Sequence, residues 1–131
     1  MKMSRALRLT ASLVAITAAC RGSEREREVL ARIELPPTPV EHREGDSLFS
    51  ANCASCHGQS ARGTEQGPPL LHIIYEPSHH SDASFVLATQ RGVAAHHWRF
   101  GDMPPQPQLD STTLRKIIGY VQWAQREVGI D

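Results

Sequence analysis

Cys53-Ala54-Ser55-Cys56-His57 sets two thiols either side of a two-residue gap, with an imidazole immediately after the second. On one helical turn that spacing lets both sulfurs add to the two vinyl groups of a haem while the histidine turns its ring under the iron. Two other chemistries use paired cysteines. A redox dithiol has no need of His57, and a zinc half-site wants a second cysteine pair, whereas the third cysteine here is the isolated Cys20. The pentapeptide therefore points to a covalently held haem, attached at Cys53 and Cys56, with His57 on the iron.

The elements that must position this group are few. Of 131 residues only seven are Phe, Tyr or Trp, and nine Pro and nine Gly interrupt the rest; a chain of this kind builds a thin core and needs a cofactor to complete it. Three helices are expected, over residues 44–56, 81–90 and 112–126. In the last, Leu114, Ile117, Ile118, Val121, Ala124, Gln125 and Val128 recur at steps of three and four, while Arg115, Lys116, Gln122 and Arg126 can face water. Asp110 or Ser111 can cap its start and Gly129 can end it. In the middle helix, Ala83, Phe85, Leu87 and Ala88 offer a buried face, with Ser81 or Asp82 as cap and Arg91-Gly92-Val93 as its end. No run alternates as a strand, since Leu70 to Tyr75 is short and Pro77 stops it. The fold class expected is all-α, with short helices around one prosthetic group.

Gly45, Leu48 and Phe49, followed by the pentapeptide and Gly58, resemble the first helix and attachment site of class I monohaem cytochromes c. The resemblance runs from about Gly45 to Val128. It implies that Gly45 and Phe49 cross the C-terminal helix at close range, against Ile117, Tyr120 or Val121. It also implies that Gly67-Pro68-Pro69-Leu70 is the family's Gly-Pro-x-Leu loop. There the Pro68 carbonyl accepts a hydrogen bond from the non-ligating nitrogen of His57, and Leu70 lines the haem edge. The alternative for Pro68 and Pro69 is simple stiffening of the loop. Met103, the one methionine beyond the first three residues, lies in Gly101-Asp102-Met103-Pro104-Pro105 before the last helix, where family members with short ligand loops carry the second axial ligand. A thioether favours the reduced iron relative to a second imidazole.

Five histidines, His72, His79, His80, His96 and His97, fall outside this pattern. The two pairs have several readings: replacement of Met103 on iron, a shared copper or zinc site with Asp82 adding a carboxylate, or local capping, haem-propionate contacts and a pH-sensitive surface. Trp98 and Arg99 are further candidates to cover the haem or meet its propionates. Trp123 reads as helix packing.

The N-terminus reads as an export signal over residues 1–19. Lys2, Arg5 and Arg8 precede an apolar run from Leu9 to Ala19, which as helix would rise about 16 Å, too little for a membrane span of roughly 20 residues. Small residues before Cys20 resemble a lipoprotein acylation site, with Thr17 where that motif carries Leu; plain cleavage near Ala19 is the alternative. Residues 20–44 read as a tether or an arm lying over the domain, and 45–131 as the cytochrome domain. Fourteen basic and fourteen acidic side chains balance, and loss of the leader leaves a net charge of −3, so neither state suggests a nucleic-acid partner. The function these readings imply is one-electron transfer by a single haem c in the periplasm, not enzymatic, with membrane tethering through an acylated Cys20. Its partners would be redox proteins. The alternatives are a cytochrome subunit of a larger oxidoreductase and a histidine-dependent copper or zinc protein.

Overall fold

The computed structural model describes residues 28–30 and 32–131; the expected leader and Cys20 lie outside the described residues. The chain divides into two units, Met1–Arg32 and Ile33–Asp131. In the first, residues 28–30 form a helical turn and Arg32 Nη2 donates to Glu28 Oε1 at 2.5 Å, one turn back. Such an exposed pair adds little stability.

The second unit is built on α-helices and three 3-10 turns, Val40–His42, Gln59–Ala61 and Ile73–Tyr75. The helix expected over 44–56 is two helices, α1 (Arg43–Asn52) and α2 (Ala54–His57). They join at Cys53, whose φ of −119° departs from helical geometry while its N–H still reaches the Phe49 carbonyl at 2.8 Å. The break lets α2 swing away from the line of α1. α3 spans Asp82–Arg91 and α4 spans Ser111–Glu127, each within a residue of expectation at both ends. Among the described residues no helix is long and apolar enough to cross a membrane.

α1 packs on α4. A Cβ on Gly45 would collide with the Lys116 carbonyl oxygen and come within 2.9 Å of Tyr120 Cβ, so only glycine permits this approach of two backbones. One turn on, Phe49 is wholly buried with its ring 5.5 Å from that of Tyr120. Glu44 accepts from Lys116 Nζ at the rim. The segment before α1 lies over the same helices: Thr38 Oγ1 donates to Asp46 Oδ2 at 2.8 Å, and the His42 ring stacks on Trp123 at 6.0 Å.

The apolar stripe of α4 buries Leu114, Ile117, Ile118, Tyr120, Val121, Trp123 and Ala124, and with them the polar Gln125. Val128, placed on this stripe by its spacing, falls beyond the helix as a half-buried cap residue. Asp110 is the cap: its Oδ1 accepts from the Thr113 N–H at 2.7 Å. At the start of α3, Ser81 holds the cap position without a side-chain cap bond; its hydroxyl meets Ser84 Oγ instead. Of the face expected of α3, Phe85, Leu87 and Ala88 line a cavity. Ala83 departs from the expectation: it is exposed and outside the lining.

Candidate functional site

The segment after α2 folds straight back on it. Gly58 has φ +75°, a conformation that favours glycine. Gly63 N–H then donates to the His57 carbonyl at 2.6 Å and Thr64 Oγ1 to the Cys56 carbonyl at 2.6 Å. Gly67 passes so close to Cys56 that a Cβ would stand 2.8 Å from its carbonyl oxygen. The outcome is a single placement: the Pro68 carbonyl lies 2.9 Å from His57 Nδ1. Because a carbonyl only accepts, Nδ1 carries the proton and Nε2 presents its lone pair. A ligating histidine held by its other nitrogen is fixed in tautomer and orientation.

Met103 is delivered by a device the sequence did not announce. Val93 N–H donates to the Met103 carbonyl and Met103 N–H to the Val93 carbonyl, both at 2.9 Å, an isolated antiparallel bridge. Gly92, at φ +74°, ends α3 against this bridge; a Cβ there would reach the Met103 carbonyl and Pro105. The loop that follows α3 is thus pinned to the loop that precedes α4.

His57, Met103 and Cys53 all line one cavity of about 630 Å³, with Phe49, Leu70 and Ile118 among its apolar walls. That volume is in the range of roughly 300–1,000 Å³ for pockets that bury a cofactor-sized ligand. Pro68, Leu70 and Trp98 line it too; Cys56, half-buried, is not part of the lining, and Arg99 is exposed and outside it. Trp98 Nε1 donates to the Tyr75 hydroxyl at 3.0 Å, so its N–H is committed within the protein.

The chemistry of the donors fits a haem. Burial lowers the His57 pKa, against a smaller opposing effect of the Pro68 hydrogen bond, so the ring is the neutral form that can ligate iron. Burial, with the neighbouring Cys56 sulfur, pushes the Cys53 thiol up to about 11. A redox dithiol depends on a depressed thiol pKa, and Cys53 has the opposite. An apolar cavity flanked by a neutral imidazole, a thioether and a paired thiol suits a flat, largely apolar group bonded through sulfur.

Two contributors escaped the sequence reading. Gln125 sits on the apolar stripe of α4, and its Nε2 donates to the Leu70 carbonyl at 2.9 Å and the Tyr75 carbonyl at 3.2 Å, tying two stretches of cavity wall to the helix. A buried amide amid Ile and Val was its only signal. Tyr75, half-buried, lines the cavity and anchors Trp98.

The histidines separate by role. His72 Nδ1 accepts from the Ile74 N–H at 3.2 Å and its ring meets Trp98 edge-on at 5.0 Å. His79, His80, His96 and His97 converge at the cavity, and the His97 pKa is lowered by loss of solvent and by the three other imidazoles around it. Asp82, read as a companion carboxylate, is engaged elsewhere: Gln122 of α4 donates to its Oδ1.

Comparison with known proteins agrees with this geometry. The cytochrome c family matches residues 42–125. The chain is 29% identical over 89 residues to the cbb3-type cytochrome c oxidase subunit CcoP of Rhodobacter capsulatus, covering 66% of this chain and 30% of that protein. A second CcoP of Rhodobacter capsulatus is 32% identical over 82 residues, 59% of this chain and 27% of the relative. The corresponding subunit FixP of Rhizobium meliloti is 29% identical over 96 residues, 71% of this chain and 31% of FixP. The chain spans under a third of the length of each of these relatives. No solved structure matches it. With the family matched from His42 to Gln125 and Cys53 and His57 of the pentapeptide at the cavity wall, the chain belongs to the cytochrome c family, an all-α electron-transfer domain for covalently bound haem c.

Proposed function

We propose that this chain carries one electron at a time through a single haem c, held by Cys53 and Cys56 and ligated by His57 and Met103. The carrying observation is that His57, oriented by Pro68, and Met103, pinned by Val93, line the same apolar cavity. Haem c supplies a one-electron iron couple when bound. The chain does the rest. Pro68 strengthens His57 as a donor, Met103 favours the reduced state, and the apolar walls exclude water from the centre. With His57 and Met103 both holding the iron, no position on it would be left for a substrate, so the domain would act as a carrier and not as an enzyme in itself.

The relatives named above are oxidase subunits, which supports placing this carrier with an oxidoreductase complex rather than as a freely diffusing shuttle. Attachment of c-type haem takes place beyond the cytoplasmic membrane, and the basic-then-apolar stretch from Lys2 to Ala19 accords with export to the periplasm. Acylation of Cys20 would tether the domain beside its partner. Cys20→Ser would then release the protein from membranes, and unchanged retention would dismiss the tether.

The central test is optical. The intact protein should exceed its polypeptide mass by one haem and show a low-spin six-coordinate spectrum in both oxidation states. Met103→Ala should bind carbon monoxide or imidazole readily where the parent resists them. A variant with parental spectra and parental ligand access would remove Met103 from the iron.

A further inference from the structure

Three imidazoles from two separate segments meet at the mouth of the cavity. His79 and His80 follow the turn Ile73–Tyr75, and His97 lies in the loop after α3. α3, about 15 Å long as a ten-residue helix, runs between them in sequence, yet the chain doubles back so that one ring nitrogen from each of the three lies within 4.8 Å of the others. The ring centroids are 4.8 Å apart for His79 and His80, 5.6 Å for His79 and His97, and 5.5 Å for His80 and His97.

One of the three is built in place. His80 Nδ1 donates to the Ile74 carbonyl at 2.6 Å, which leaves its Nε2 as the lone-pair donor. The Tyr75 ring packs against it at 5.0 Å, and Tyr75 is in turn held by Trp98 and Gln125. A backbone carbonyl behind a histidine is the arrangement that orients imidazoles toward metals. His79 and His97 are exposed. Their rings must close in on the fixed one, because Zn–N bonds of about 2.1 Å put tetrahedral donors roughly 3.4 Å apart.

We propose that His79, His80 and His97 form a second metal site, distinct from the haem iron, for a divalent cation of the zinc or copper class. The donor set selects that class. Three imidazole nitrogens without a carboxylate suit zinc, copper or nickel and discriminate against calcium and magnesium, which take oxygen. Asp82, the nearest acid in sequence, is not among the converging donors, and its Oδ1 accepts from Gln122. With three protein ligands a fourth position stays open to water or to a group from a partner. His96 adjoins the trio, its ring 4.2 Å from that of His97 and its Nδ1 on the Ala94 carbonyl, yet it is not one of the three converging donors.

Zinc(II) is the probe, because it cannot exchange electrons with the haem. The untagged, haem-loaded protein, titrated by calorimetry and dialysed for elemental analysis, should hold one zinc per chain. His80→Ala and His97→Ala should each weaken binding by at least the roughly 10–100-fold that loss of an outer-shell partner costs, and His96→Ala should retain it. The haem spectrum of every variant reports whether the fold survived, and so keeps this proposal separate from the electron-carrier reading. Absence of stoichiometric zinc overturns the site, including the case in which the imidazoles serve the haem carboxylates instead. Binding that survives His80→Ala with His97→Ala, or that is lost as fully in His96→Ala, also overturns it.

Discussion

His57 Nδ1 and the Pro68 carbonyl oxygen stand 2.9 Å apart across eleven residues of chain. The loop between them is closed by Gly63, Thr64 and Gly67 on the carbonyls of His57 and Cys56 and on each other. Gly67→Ala should force this loop outward, since its Cβ would meet the Cys56 carbonyl at 2.8 Å. A lengthened hydrogen bond would make His57, as the proposed ligand, a weaker donor to iron. The expected result is a raised midpoint potential by spectroelectrochemistry with the axial ligands retained. An unchanged potential would detach Pro68 from that role.

In the proposed reading, Cys53 and Cys56 carry the covalent attachment. Replacement of both by Ala should abolish the haem mass increment in the intact protein and leave a pigment that extracts into acidified organic solvent. A haem that stays bound through such extraction would contradict attachment at these sulfurs.

Gly45 tests the helix crossing. Gly45→Ala places a methyl against the Lys116 backbone, which cannot rotate away, and against Tyr120 Cβ at 2.9 Å. Overpacking of this kind costs about 1–3 kcal/mol, and a helix that must shift bodily belongs at the upper end. Guanidinium unfolding should show a lower midpoint with an unchanged slope. A variant as stable as the parent would refute the close approach.

Asp110 makes one part of the stability depend on pH. Its carboxylate accepts hydrogen bonds from Thr113, first among the causes that hold its pKa below the ordinary 3.8. An acid whose folded pKa is depressed stabilises the fold at every pH above its unfolded value, and that contribution fades as pH falls through the folded pKa. Asp110→Ala should therefore melt below the parent at neutral pH, with the gap narrowing only as pH drops beneath 3.8. A gap that closes already at pH 6 would assign the effect to another group.

Much of this protein was legible from residue types and intervals. The pentapeptide, the stripe of α4 and the Asp110 cap are local patterns, and local patterns follow from helical geometry and from the donors each side chain carries; the Gly45 crossing was implied by the family resemblance. A cofactor-centred helical fold follows from too few apolar residues and the right sulfurs. What the intervals could not contain is the meeting of segments far apart in the chain. The break at Cys53, the Val93 bridge to Met103 and the reach of Gln125 to two loop carbonyls depend on where loops land. So does the convergence of His79 and His80 with His97, and the loss of Asp82 from their company to Gln122. Backbone groups in loops must find partners wherever the packed helices leave room, and that choice is made only once the whole chain has closed around its cavity.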